Sequence, residues 1–304
     1  MDPAARPPPS APRRFPRGAY DWAWLLFLVW TAVGFVVMPL GVTSAQARVW
    51  AAPLGLGGAA AAILAVSDAV WMLLAAVTVY LHAVADEGLR TARRQATLVL
   101  LASTACEWVG ARTGFPFGPY EYTANFGPRI AGVVPMAIPL AWLVVVLCGR
   151  NVVLLLYPPA GRLAVAAGTA VAATLTDLNL EPVAWHVRQY WVWYPLQDPP
   201  PSSLPPWQNY AAWFVLSFVL ACALPTDHAL RSRRPSRLRP VLLLVVLNAL
   251  LALVHLSVNW RHPVPNPAAR PSGVTNSGKK AGLARSATGV TSRSATGCWS
   301  TPTA

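Results

Sequence analysis

Charge is the scarcest property of this chain. Its 304 residues hold 11 acids against 24 basic residues, and Asp, Glu, Lys and Arg together make up 12%. Soluble domains carry about 25%, and 55% of this chain is hydrophobic, which excludes an ordinary soluble domain. Lysine is nearly missing: only Lys279 and Lys280 occur, and neither lies in an apolar run. A retinal protein needs a lysine inside a helix for its Schiff base, so that reading falls. The cysteines, Cys106, Cys148, Cys222 and Cys298, form no CxxC pair. Three of them lie in apolar stretches where cysteine acts as a small hydrophobe, so neither a disulfide framework nor a zinc site is indicated. His82, His186, His228, His255 and His262 are scattered, too few and too far apart for a di-iron membrane oxygenase. No Gly-rich phosphate loop or dinucleotide fingerprint is present. Chemistry on this chain would therefore fall to carboxyl groups and water, with no cofactor and no metal.

What the chain has in abundance is apolar sequence. Seven stretches, 22–40, 54–83, 95–112, 132–157, 163–184, 210–226 and 240–260, are long enough to be helices in a bilayer. The first is too long for a cleaved signal and lacks a good small-residue site, so it is read as a retained helix. The expected fold is an all-α integral membrane protein, a bundle of about seven transmembrane helices. Residues 1–19 form a basic, Pro-rich arm and 263–304 a low-complexity tail, both expected to be disordered, on either side of a membrane domain at 20–262. The net charge of +13 does not point to nucleic acid. Arg6, Arg13, Arg14 and Arg17, then Arg90, Arg93 and Arg94, then Arg231, Arg233, Arg234, Arg237 and Arg239 fall between alternate spans. That pattern places the N-terminus inside by the positive-inside rule, and the Ala-, Pro- and Arg-rich composition suggests a bacterial cytoplasmic (inner) membrane.

In a chain so poor in acids, each acid inside an apolar stretch is a candidate functional group. Glu107 closes an apolar helix and leads into a Gly/Pro/aromatic loop with a second acid, Glu121. Asp177 and Glu181 are four apart, on one face of a helix about a turn from each other. Two carboxyls so close repel, so one is expected to keep its proton, as paired acid and base work requires. With seven spans, Glu107, Asp177 and Glu181 share one depth near the outer side. Plainer readings exist for each. Glu107 could pair with Arg112 or Arg129, Glu181 could sit at the aqueous interface beside Pro182, Asp68 could serve helix packing, and Glu121 could be exposed. His255 shares a helix face with Asn259, but a lone histidine is more often structural. The tryptophans and tyrosines from Trp185 to Trp213 could be an interfacial belt or the lining of an apolar, cation-stabilising pocket.

Two blocks carry a resemblance. The first is Glu107-Trp-x-Gly-x-Arg-Thr-Gly-x-Pro-Phe-Gly-Pro-Tyr-x-Tyr-Thr123, followed by Gly127-Pro128, Val134-Pro135 and Ile138-Pro-Leu-Ala-Trp142. The second is Thr176-Asp177-x-x-x-Glu181-Pro182, Trp191-x-Trp193 and Pro206-Trp-Gln-Asn209-Tyr-x-x-Trp213. Together they resemble CruF-type carotenoid 1',2'-hydratases, related to the haloarchaeal bisanhydrobacterioruberin hydratases, over roughly residues 20 to 260. Two departures stand out: Glu181 where the family typically has Asp, and a Pro-rich stretch from Gln197 to Pro205. The resemblance implies hydration of the terminal C1'=C2' bond of an acyclic ψ-end carotene, of the γ-carotene or lycopene type, reached sideways from the bilayer. For that reaction Asp177 is the expected proton donor and Glu107 the base or water-positioning group, or the two in swapped roles, with Glu181 tuning the Asp177 proton. The expected substrate-binding residues are Trp108, Arg112, Phe117, Tyr120, Glu121, Tyr122, Trp142, Trp191, Trp193, Asn209 and Trp213. Water, the lipid bilayer and other carotenoid-pathway enzymes are the implied partners. The competing class is a membrane transporter or a scaffold for pigment-synthesis enzymes, with the acids as relay or packing groups.

Overall fold

The computed structural model describes residues 17–42, 44–194, 205–225 and 237–261. Eight helices run through them: α1 (Arg17–Val37), α2 (Ser44–Ala51), α3 (Gly57–Glu87), α4 (Leu89–Thr113), α5 (Ala137–Leu156), α6 (Arg162–Glu181), α7 (Trp207–Ala223) and α8 (Leu238–Arg261). All seven expected spans are present as helices, and the protein is an all-α membrane protein. Helices α1, α3, α5, α6 and α8 are long and apolar enough to cross a bilayer, and α7 is a shorter apolar helix. α4 is not among them: besides Arg90, Arg93 and Arg94 in its first two turns it carries Gln95, Glu107 and Arg112 further along. The sequence reading had set the first three arginines in a loop. Helix α2 was not expected. α1 starts at Arg17, just inside the segment assigned to the N-terminal arm, while the tail at 263–304 and the Pro-rich stretch at 195–204 lie outside the described residues.

Helix α5 is the axis of the bundle. It packs against α3, α4, α6, α7 and α8, and 72% of its apolar window is buried, against 17% for α1 and 22% for α3. The outer helices therefore present leucine, valine and isoleucine outwards, as helices facing lipid do. Trp30 Nε1 donates to the Ser67 carbonyl at 3.2 Å and Trp71 Nε1 to Thr31 Oγ1 at 2.9 Å, which ties α1 to α3.

The helix ends differ in kind at the two ends of the bundle. At one end, Arg150 pairs with Glu87 at 2.7 Å, Gln95 donates to the same Glu87 at 2.5 Å, and Arg237 donates to Asn151 at 2.9 Å. Arg239 meets Asp21 there at 2.5 Å. These contacts join the end of α3 and α5 to the start of α1, α4 and α8. At the opposite end the connections are structured rather than short. After α4 come β1 (Tyr120–Tyr122), then β2 (Arg129–Ile130) and β3 (Val134–Pro135), which pair as an antiparallel hairpin. After α6 the chain continues through a π-helical segment, Pro182–Val187, into β4 (Trp191–Trp193). β1 and β4 pair antiparallel, with Tyr120 opposite Trp193 and Tyr122 opposite Trp191. This small ribbon joins the two sequence blocks.

Candidate active site

The loop after α4 is seated by glycine. Gly114 ends the helix in the left-handed region, φ 77°, with its N–H bonded to the Gly110 carbonyl at 2.7 Å. A Cβ on Gly110 would stand 2.6 Å from Phe117 Cδ2 and 2.9 Å from the Tyr120 hydroxyl. The missing side chain lets the loop fold back onto α4, and that brings Tyr120 over Glu107.

Glu107 is 5% exposed. Its Oε2 accepts from the Tyr120 hydroxyl at 2.9 Å and the Tyr122 hydroxyl at 2.7 Å, and its Oε1 accepts from Trp142 Nε1 at 2.8 Å. Removing a carboxylate from water costs several kcal/mol, and hydrogen bonds to charged groups return about 1.5–3 kcal/mol each. Three donors therefore account for its burial. Burial, reinforced by the Glu107 charge, raises the pKa of both phenols above their ordinary range, so both remain O–H donors. The ion pairs weighed from the sequence are not formed: the Arg112 guanidinium stacks on Trp108 at 4.4 Å, and Arg129 donates to the Tyr122 carbonyl at 2.6 Å.

The second carboxyl group comes from α6. Glu181 accepts from Trp193 Nε1 at 3.0 Å and Trp191 Nε1 at 3.3 Å on one oxygen, and from Asn209 Nδ2 at 3.0 Å on the other. The same Asn209 amide donates to Asp177 Oδ2 at 2.7 Å. One side chain of α7 thus bridges the two acids of α6. Asp177 is fully buried, and its Oδ1 has no hydrogen-bond partner among the described residues. No arginine or lysine pairs with Glu107, Asp177 or Glu181 among the described residues.

Glu107 and Glu181 both line one cavity of about 70 Å³ at the ribbon end of the bundle. A water molecule needs about 10–15 Å³ on such a measure, so several waters or the end of a hydrocarbon chain fit. Its walls are aromatic. Trp142 and Trp213 stack with ring centroids 4.1 Å apart, and Phe126 and Tyr190 stack at 3.9 Å.

The expected site residues divide cleanly. Phe117, Tyr120, Tyr122, Trp142, Trp191, Trp193, Asn209 and Trp213 line the cavity beside Glu107 and Glu181. Asp177 stands behind it, joined through Asn209. Glu121, Trp108 and Arg112 do not belong to it. Strand alternation turns Glu121 outwards between two inward tyrosines, and Trp108 and Arg112 occupy the exposed face of α4. Asp68 lines the cavity wall and forms an ion pair with Arg188. Trp71, in the middle of α3, and Phe126 and Tyr190, in the connections at the ribbon end, were missed; their only signal was that they are aromatic.

A family profile described as carotenoid biosynthesis protein matches residues 67–268. Over 128 residues the chain is 34% identical to the bisanhydrobacterioruberin hydratase of Haloarcula japonica, a stretch that is 40% of this chain and 42% of that protein. The aligned region thus spans less than half of that relative. No solved structure matches the chain. The profile match takes in the last part of α3, both motif blocks and every carboxyl group of the cavity, over well more than half of the sequence. The chain belongs to the carotenoid biosynthesis protein family.

Proposed function

We propose that this protein is a carotenoid 1',2'-hydratase, which adds water to the terminal C1'=C2' bond of an acyclic ψ-end carotene of the γ-carotene or lycopene type. One observation carries the reading: two carboxyl groups with no cationic partner among the described residues face one buried, aromatic-walled cavity. The name of the haloarchaeal relative supports the same class of reaction.

The chemistry follows from the geometry. A proton adds to C2' of the alkene, and the π electrons form the new C–H bond. The tertiary cation left at C1' is stabilised by the aromatic faces of Trp142, Trp213, Trp191 and Trp193 and by the neighbouring carboxylate. Water then bonds to C1' and gives up a proton, so the net change is the addition of H and OH. Glu107, held by three donors, suits the base that orients and deprotonates this water. The proton comes from the Asp177–Glu181 pair. Asp177 has an oxygen without a donor, where an O–H fits better than a carboxylate, and Glu181 is the member that reaches the cavity. Asp177 does not line the cavity, so its role is to tune Glu181 through its charge state and the Asn209 amide that both acids share, rather than to touch the alkene. Cavity water returns the proton from Glu107 to the pair after each turnover.

The reading places the enzyme in a bacterial cytoplasmic (inner) membrane as a multi-pass protein. Its arginine-rich helix ends face the cytoplasm and its cavity lies near the outer face, where water is at hand. Expression of this chain alone in a host that accumulates lycopene or γ-carotene tests the function. The expected result is a new, more polar carotenoid bearing a tertiary hydroxyl. A correctly inserted protein that leaves the carotene unchanged would favour the transporter or scaffold class.

A further inference from the structure

A cavity of about 70 Å³ holds the end of a carotene and no more. The rest of the polyene requires an apolar path continuous with it. Two lipid-facing grooves compete for that role. One, of about 820 Å³, lies between α4 and α7, but none of its lining residues is shared with the cavity. The other, of about 180 Å³, lies between α1 and α3 and shares Met38, Asp68 and Trp71 with it. Its outer rim is apolar and open, with Val33 56% and Ile63 54% exposed. Its width is set rather than accidental, because the Trp30–Ser67 and Trp71–Thr31 hydrogen bonds hold the two helices at a fixed spacing. The Asp68–Arg188 ion pair borders the junction of groove and cavity.

We propose that the polyene of the substrate lies in the groove between α1 and α3, and that its end passes Met38 and Trp71 into the carboxylate cavity. This rests on the hydratase reading and adds the access route and the site of the chain. Glu107 and Glu181 lie on the cavity side of the junction and the outer rim of the groove is apolar, so a linear hydrocarbon is seated with its terminal alkene, and not its middle, at those carboxyl groups. Met38, unbranched and adaptable, and the bulky Trp71 set the width through which a chain end must pass. A cyclised end is wider than an acyclic one, so this constriction selects the ψ-end.

The test uses Ile63→Cys in a chain carrying Cys106→Ala, Cys222→Ala and Cys298→Ala, with Cys148 kept because it is fully buried and the same chain without Ile63→Cys as the control. A bulky methanethiosulfonate is attached to the introduced thiol and later removed with reductant. Modification is expected to lower kcat/KM for membrane-borne γ-carotene by about tenfold, with recovery on reduction. The rate on a short, dispersed terpene with the same terminal alkene should stay unchanged. Separately, γ-carotene in the membrane should slow modification of the introduced thiol, a binding readout that needs no turnover. An unchanged rate after modification, or no protection by carotene, would overturn the route and leave the groove to lipid acyl chains. An equal loss on both substrates would overturn it too, since the label would then be distorting the cavity. A chain that protects its thiol but turns over neither substrate would contradict the hydratase reading alone.

Discussion

Glu107 is held by three donors from two elements: Tyr120 and Tyr122 in β1 and Trp142 in α5. Such a constellation fixes the direction of the carboxylate lone pairs, which a base must aim at one water. Glu107→Gln keeps the shape of the side chain but removes its basicity. Activity should fall by about 10²- to 10⁴-fold, read as hydroxylated carotene per inserted protein. Glu121→Gln is the internal control. Only fourteen residues away and in the same motif, it is exposed on the far side of β1 and should leave the rate unchanged. Spacing alone did not separate these two acids. The alternation of Tyr120-Glu121-Tyr122 does, once that stretch is known to be a strand with a buried face. For Asp177 and Glu181, a four-residue interval correctly put both on one side of α6. It was silent about Asn209, which couples them from another helix and lies 28 residues beyond Glu181.

At the scale of elements, the helices were legible because long apolar runs leave few alternatives in a bilayer, where backbone groups must bond within their own segment. Their ends were less so. α4 extends back to Leu89 through three arginines that hydropathy assigns to a loop, and α2 is too short and too polar to stand out. The β1–β4 ribbon was not foreseen at all. Its strands are three residues each and about seventy residues apart, and pairing of that kind leaves no local periodicity. Yet the ribbon is what unites the two motif blocks, and it depends on the return of the loop over α4. Gly110→Ala should therefore destabilise this region by about 1–3 kcal/mol, because Phe117 is 2% exposed and has no room to withdraw from the new Cβ. Thermal unfolding in detergent, monitored by tryptophan fluorescence, reads the change. Gly58→Ala in α3 meets nothing within 4 Å and should be neutral or slightly stabilising, since alanine is the better helix former by about 0.5–1 kcal/mol.

Among the described residues, the helical bundle holds two kinds of buried polarity at its two ends. At the arginine-rich end, acids are matched by cations, as Glu87 is by Arg150 with 5% and 1% side-chain exposure. At the ribbon end Asp68 is paired with Arg188, but Glu107, Asp177 and Glu181 are matched by neutral donors instead, an arrangement suited to proton exchange. On the proposed reading the first end serves stability and the second chemistry, and the two should respond differently to mutation. Arg150→Met strands Glu87 and should cost about 3–5 kcal/mol, seen as a lower unfolding temperature, while the rate per folded molecule stays as in the parent. The central claim is that the cavity adds water across a terminal alkene by proton transfer, and purified protein in lipid with a ψ-end carotene tests it most directly. Conversion in 18O-labelled water should place the heavy oxygen in the tertiary hydroxyl of the product. A hydroxylated product that carries no label from water would contradict hydration.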